Sequence, residues 1–238
     1  MCVHCASGMS RRGLVFGAAA LAGACLVRPV LAADDLPPGQ KAPNAIPGYE
    51  ALDRLMAGNA RYVADTTEHR DFSARRQMLA KGQYPIAAVL GCSDSRVSPE
   101  LCFDQEPGEL FVVRLAGNVV DGDGLASLEY AVAYLGVPLV LVLGHTGCGA
   151  VAAAVKSATQ QAQFPGHLPG LIQNILPAVA QARDQGPDLL EAAIVANARL
   201  SAKEVAGKSA LIGGAIASGK VKLATGIYEL GTGKVTLV

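Results

Sequence analysis

The 238-residue sequence has no tryptophan, and only 5% of its residues are aromatic. Charged residues make up 17%, with Lys+Arg and Asp+Glu balanced at a formal net charge of zero. No run of basic residues exceeds two. A nucleic-acid surface needs clustered cations with interleaved aromatics, so that class is excluded. Intrinsic disorder is excluded too, because 51% of the residues are hydrophobic and such a chain can fill a core. Past residue 33 there is no Cys-x-x-Cys, which removes the spacing of a thiol–disulfide exchanger.

The first 33 residues stand apart. Ser10-Arg11-Arg12 precedes the apolar segment "GLVFGAAALAGACLV", and the small residues of Val30-Leu31-Ala32 or Leu31-Ala32-Ala33 follow. The apolar stretch is short for a membrane span. The pattern resembles a twin-arginine export signal, a receptor-read address rather than an anchor. An ordinary secretory leader with incidental arginines is the plainer alternative. Lipoprotein cleavage before Cys25 is disfavoured by Ala22, where a larger aliphatic is usual. The expectation is an export signal over 1–33, a periplasmic or secreted protein over 34–238, and no stable membrane anchor after processing. Removing the leader takes Cys2, Cys5 and Cys25 with it and leaves Cys92, Cys102 and Cys148. Three thiols cannot all pair within one chain. Either one is left over from a disulfide, or some are held by a metal.

The remainder reads as a single α/β domain. Asp34–Gly48 is rich in Pro and Gly and is expected to be an extended arm. A helix follows in "YEALDRLMAGNARYVAD", with Leu52, Leu55, Met56, Ala60 and Val63 on one side. A second, "FSARRQMLAKG", has Ser73 as its expected N-cap and Gly82 as its stop. Three short apolar runs bounded by Gly or Pro read as buried parallel strands: Pro85–Gly91, Glu109–Leu115 and Pro138–His145. Helices are expected over Gly124–Gly136, from near Cys148 onward, and over Leu168–Arg183, Pro187–Ala206 and Lys208–Ser218. "KVKLATGIYEL" and "KVTLV" close the chain as a hairpin. Strand–helix alternation implies a sheet with helices on both faces.

Chemistry concentrates where ligands gather in such sheets, at the carboxyl ends of strands. Cys92 ends the first core strand. His145 ends the third, and Cys148 follows three residues later. Two thiols and an imidazole are zinc ligands that leave a fourth tetrahedral position open. In "CSDSR", Asp94 and Arg96 are two apart and can pair bidentately. Asp94 can then accept a hydrogen bond from the zinc-bound nucleophile, or it can bind zinc itself and close the site. His69 and His167 lie in turn-like stretches and read as solvated, and Cys102 as a buried small residue.

"CSDSRV" followed by "GHTGCGA", with "PGELFVVRLAGN" between, resembles the β-class carbonic anhydrases from about Tyr49 to the end of the chain. The resemblance implies a sheet of four parallel strands plus one antiparallel strand, flanked by helices. It implies reversible hydration of carbon dioxide to bicarbonate by zinc-bound hydroxide, with one Zn2+ per subunit held by Cys92, His145 and Cys148 beside an Asp94–Arg96 dyad. It also implies a homodimer or higher homo-oligomer. Gln83, Phe111, Tyr130 and Gly149 match the substrate-binding positions of the family's plant-type subtype. The other subtype has a Trp where this chain has Val89; Arg114 matches an arginine found in both. Two alternatives stand beside this reading: hydrolysis of carbon disulfide or carbonyl sulfide on the same site, and a zinc-binding protein without catalysis.

Overall fold

The computed structural model describes residue 42 and residues 44–238. The expected export signal and most of the expected arm lie outside the described residues. The three apolar runs form strands β1 (Ala87–Gly91), β2 (Leu110–Arg114) and β3 (Leu139–His145). The terminal hairpin is β4 (Lys222–Tyr228) and β5 (Val235–Leu237). The sheet order is β2-β1-β3-β4-β5; the first four strands are parallel and β5 is antiparallel to β4.

Side-chain alternation explains why these strands read as unbroken apolar runs. Ala88, Leu90, Val140 and Val142 pack into one core. Ala87, Val89, Leu139, Leu141 and Leu143 pack into a second core on the other face. Both faces are covered, so neither set of alternate residues needs to be polar. Helices α4 (Gly122–Ala133), α5 (Gly149–Gln160), α6 (Leu168–Ala182), α7 (Leu189–Lys208) and α8 (Ala210–Ala217) supply the first layer. Helices α1 (Gly48–Val63) and α3 (Pro99–Cys102) lie on the second face. Helix α2 (Phe72–Leu79) has no buried side chain among those described. Along α7 the buried positions are mostly Ala and Ser, which lets the helix lie close to β3. Gly144 belongs to that close approach. A Cβ there would sit 3.3 Å from the Ala198 methyl and 2.9 Å from Ile227 Cδ1.

Two local expectations are corrected. The N-cap of α2 is Asp71 rather than Ser73: its Oδ1 accepts from the Ser73 amide at 2.9 Å and the Ser73 hydroxyl at 2.6 Å. The buried face of α1 is Ala51, Leu52, Leu55, Gly58 and Asn59, while Ala60 and Val63 are exposed. The stripe is turned because a polar residue belongs to it. Asn59, 3% exposed, donates from Nδ2 to the carbonyls of Cys102 (2.9 Å) and Gly233 (2.8 Å). Its Oδ1 accepts from the Val235 amide at 2.8 Å. One side chain therefore joins α1, α3 and the terminal hairpin. Asn59→Ala leaves these backbone groups buried without partners and is expected to cost about 3 kcal/mol. A lowered urea midpoint at unchanged slope checks this.

Candidate metal centre

β1 moves the chain to one side of the sheet, toward β2, and β3 moves it to the other, toward β4. The gap between β1 and β3 is the topological switch point, where open α/β sheets bind ligands. The register Gly91↔Leu143 brings the two strand ends level. Cys92 leaves β1 there, and His145 is the last residue of β3. A two-residue turn follows, and Cys148 then caps α5. The ligand atoms of Cys92, His145 and Cys148 all lie within 4.8 Å of one another, and all three residues are buried.

The protonation pattern fits a cation. His145 Nδ1 lies 3.0 Å from the Thr146 carbonyl oxygen. A carbonyl only accepts, so Nδ1 carries the proton and the Nε2 lone pair is directed away. That Nε2 is buried without a hydrogen-bond partner. The Cys148 thiol donates to Cys92, and this, more than the opposing effect of burial, holds the Cys92 thiol down at about 4. Cys148 is pushed far above the usual thiol range, first by that shared hydrogen and then by burial. Burial, the largest single effect, opposes protonation of His145, but the Cys92 sulfur, the Thr146 carbonyl and the Asp94 carboxylate together outweigh it and raise the imidazole. Two thiols this close share a hydrogen bond. A divalent cation in its place allows both to be thiolates. Two sulfurs and one imidazole nitrogen suit zinc and leave one tetrahedral position open.

Asp94 stands beside this group. Arg96 grips it as a fork, Nε to Oδ1 at 2.9 Å and Nη2 to Oδ2 at 2.7 Å. The Arg96 amide adds a third bond to Oδ1 at 3.0 Å. These contacts, the Arg96 side chain first, hold Asp94 far below the usual carboxylate range. Its Oδ2 is 3.8 Å from His145 Nε2, yet Asp94 is not a member of the ligand group. Arg114, at the end of β2, donates from Nε to the Cys92 carbonyl (2.9 Å) and from Nη2 to the Asp94 carbonyl (2.6 Å). The chain then makes a 3-10 turn over Ala116–Asn118. Within it the Gly117 amide donates to Cys92 Sγ at 3.2 Å.

The other expected residues divide. Phe111 on β2 and Tyr130 on α4 are neighbours, with ring centroids 6.2 Å apart. Tyr130 stacks on Tyr134 at 5.3 Å and is 42% exposed. Gly149 opens α5 next to Cys148, and no atom lies within 4 Å of where its Cβ would stand. Gln83 is apart from these within one chain. It is exposed in a shallow depression of about 400 Å3 lined by Leu79–Gly82 and Gly108. His69 and His167 are exposed. Cys102 is buried in α3, where burial pushes its thiol up to about 11. Sequence reasoning missed the Gly117 amide and the clamp that Arg114 makes. The Gly-Asn pair after a strand is a left-handed turn signal that pointed to the first.

Comparison with known proteins agrees with this geometry. The family described as carbonic anhydrase matches residues 87–235. Carbonic anhydrase 2 of Mycobacterium tuberculosis is 37% identical over 196 residues, covering 82% of this chain and 94% of that protein. The carbonic anhydrase of Mycolicibacterium smegmatis is 37% identical over 197 residues, covering 82% and 95%. Among solved structures, a tetrameric β-carbonic anhydrase of Sordaria macrospora is similar at a TM-score of 0.64 and 25% identity, over 80% of this chain and 95% of that one. The Coccomyxa β-carbonic anhydrase in complex with acetazolamide is similar at 0.60 and 27% identity, over 80% and 82%. With the four-plus-one sheet and the Cys-His-Cys group already in place, these similarities show that the chain belongs to the β-class carbonic anhydrases, zinc enzymes that hydrate carbon dioxide.

Proposed function

We propose that Cys92, His145 and Cys148 form the zinc site at which this chain hydrates carbon dioxide, with Asp94 and Arg96 as its catalytic dyad. The grouping of Cys92, His145 and Cys148, all buried with ligand atoms within 4.8 Å of one another and with His145 Nε2 lacking a hydrogen-bond partner, is the observation that carries this assignment. Zinc bound here supplies Lewis-acid activation of a water, giving a nucleophile at moderate pH. With zinc bound, Asp94 would accept a hydrogen bond from the activated water and orient it toward the substrate carbon. Arg96 keeps Asp94 ionised and holds both of its carboxylate oxygens. Phe111 and Tyr130 offer an apolar wall to a small uncharged substrate. Gly149 leaves that side of Cys148 open. The Asp94–Arg96 fork supports the open form of the site, with Asp94 off the metal. Together with Gln83, Phe111, Tyr130 and Gly149, it supports the plant-type subtype. Val89 is wholly buried in β1, where the other subtype places a Trp.

Gln83 fits the reading only if a second chain brings it to the site, and we take the working unit to be a homodimer or a larger homo-oligomer. β2 is a sheet edge whose Phe111, Val112 and Val113 are half-buried. Such an edge invites pairing. An eight-residue helix with no buried side chain described, as α2 is, is marginal by itself. For the leader, Ser10-Arg11-Arg12 ahead of an apolar segment supports twin-arginine export and a periplasmic or secreted location. That route carries folded proteins, so thiolates can receive their metal before meeting an oxidising compartment.

Three outcomes test the reading. Asp94→Asn keeps the side chain's size and is expected to retain zinc while lowering kcat/KM by about 100-fold; stopped-flow carbon dioxide hydration with metal analysis on the same sample reads both, and undiminished turnover would remove Asp94 from the chemistry. Two thiolates cancel the formal charge of zinc, so ionisation of the activated water is displaced upward relative to a three-imidazole site. Asp94 is already ionised through the neutral range and contributes no acid limb there. Hydration is therefore expected to climb from about pH 6 to about pH 9; a flat profile contradicts the charge argument. Sedimentation equilibrium of the chain from Asp34 onward is expected to give at least twice the protomer mass, and a fully active monomer would overturn the shared site.

A further inference from the structure

Helix α7 buries one amide among small residues. Asn197 is 1% exposed on the face formed by Ala193, Ile194, Ala196, Ala198, Ser201 and Ala202. Burying an amide costs free energy unless it is hydrogen-bonded. Its Nδ2 donates to the Gly117 carbonyl at 2.7 Å. Gly117 is the residue whose amide donates to Cys92 Sγ at 3.2 Å. It holds a left-handed backbone, φ 69°, between α5 and α6, where a Cβ would meet Ile175 Cδ1 at 2.9 Å and Ala150 Cβ at 3.2 Å. Asn118 is left-handed as well, φ 45°. Gly adopts that region without penalty and Asn is among the other residues found there most often, so the two suit a left-handed turn. The turn is fixed at three points: Leu115 N to Gly91 O (3.1 Å), Asn118 N to Leu115 O (2.8 Å), and the Asn197 amide. The first two bonds hold the entry and the closure of the turn. Asn197 alone, among the hydrogen bonds described, engages the carbonyl of Gly117 itself.

We propose that Asn197 is a positioning residue of the metal centre, locking the Gly117 turn so that its amide hydrogen stays on the Cys92 sulfur. The proposal rests on Cys92 being a zinc ligand. An N–H donated to a thiolate withdraws electron density that the sulfur would otherwise give to the metal. Partners outside the ligand shell orient and tune the ligands in this way. Asn197 thereby sets how strongly Cys92 donates, although it touches neither the metal nor the substrate. Arg114 acts on the other side of the same ligand, through backbone carbonyls, and fixes where Cys92 lies rather than how it donates.

The test substitutes Co2+ for zinc in the folded full chain and reads the thiolate-to-cobalt charge-transfer absorption, with zinc affinity measured by chelator competition. Asn197→Ala and Asn197→Ser remove the donor that reaches Gly117; the second keeps a polar atom in the space should the first fail to fold. Each is expected to move the band to lower energy, as the Cys92 sulfur donates more strongly, while loss of the preset ligand geometry weakens zinc binding about tenfold. Asn59→Ala is the control: it removes a buried asparagine on the opposite face of the sheet and destabilises the fold without touching the turn. It is expected to leave the band in place. A band that stays put in a folded Asn197 variant, or shifts no further than in Asn59→Ala, overturns the proposal. If the parent protein itself shows no thiolate-to-cobalt band, the zinc-site assignment falls, and this inference with it.

Discussion

The centre rests on two thiols and an imidazole packed into one small, buried volume. Cys92 and Cys148 lie close enough to share a hydrogen bond or, in its place, a cation. Everything else around the centre follows from arranging the second case. β1 and β3 deliver Cys92 and His145 from the ends of strands paired side by side, so the separation of those two is inherited from strand spacing, while the turn into α5 places Cys148. The N-terminus of α5 begins at Cys148, and the positive end of a helix favours a thiolate there.

Charge is then managed in layers. The metal ligands are sealed off, with Cys92, His145 and Cys148 all buried. Asp94 and Arg96 form the next layer: the Arg96 side chain is exposed while that of Asp94 is mostly buried, and the guanidinium offsets the cost of burying the carboxylate. Arg114 binds the two into one body by holding the carbonyls of Cys92 and Asp94. Cys92 and Asp94 are therefore held at a fixed separation. This matters because orientation is effective only when it is already set before the substrate arrives.

Much of this was legible in the sequence, for identifiable reasons. A strand covered on both faces leaves an unbroken apolar run, and Gly or Pro marks its ends, so β1, β2 and β3 could be read directly. Cys and His are uncommon enough that two strand ends carrying them point to a metal. What escaped was whatever depends on partners distant in the chain. Asn59 reads as a surface residue by type, yet it is core because its partners lie 43, 174 and 176 residues away. Asp71 outcompeted Ser73 as a cap because its carboxylate reaches the Ser73 amide and hydroxyl together. The Gly117 amide has no side chain to announce it. Gln83 matches the family pattern, but a single chain leaves it away from the site.

The pairing of β1 with β3 has one more implication. A strand's side chains alternate between faces, so sliding β1 by one residue against β3 would exchange its two cores and carry Cys92 away from His145. An ion held by residues of both strands would therefore bind only the fold in which the two central strands are aligned to the residue.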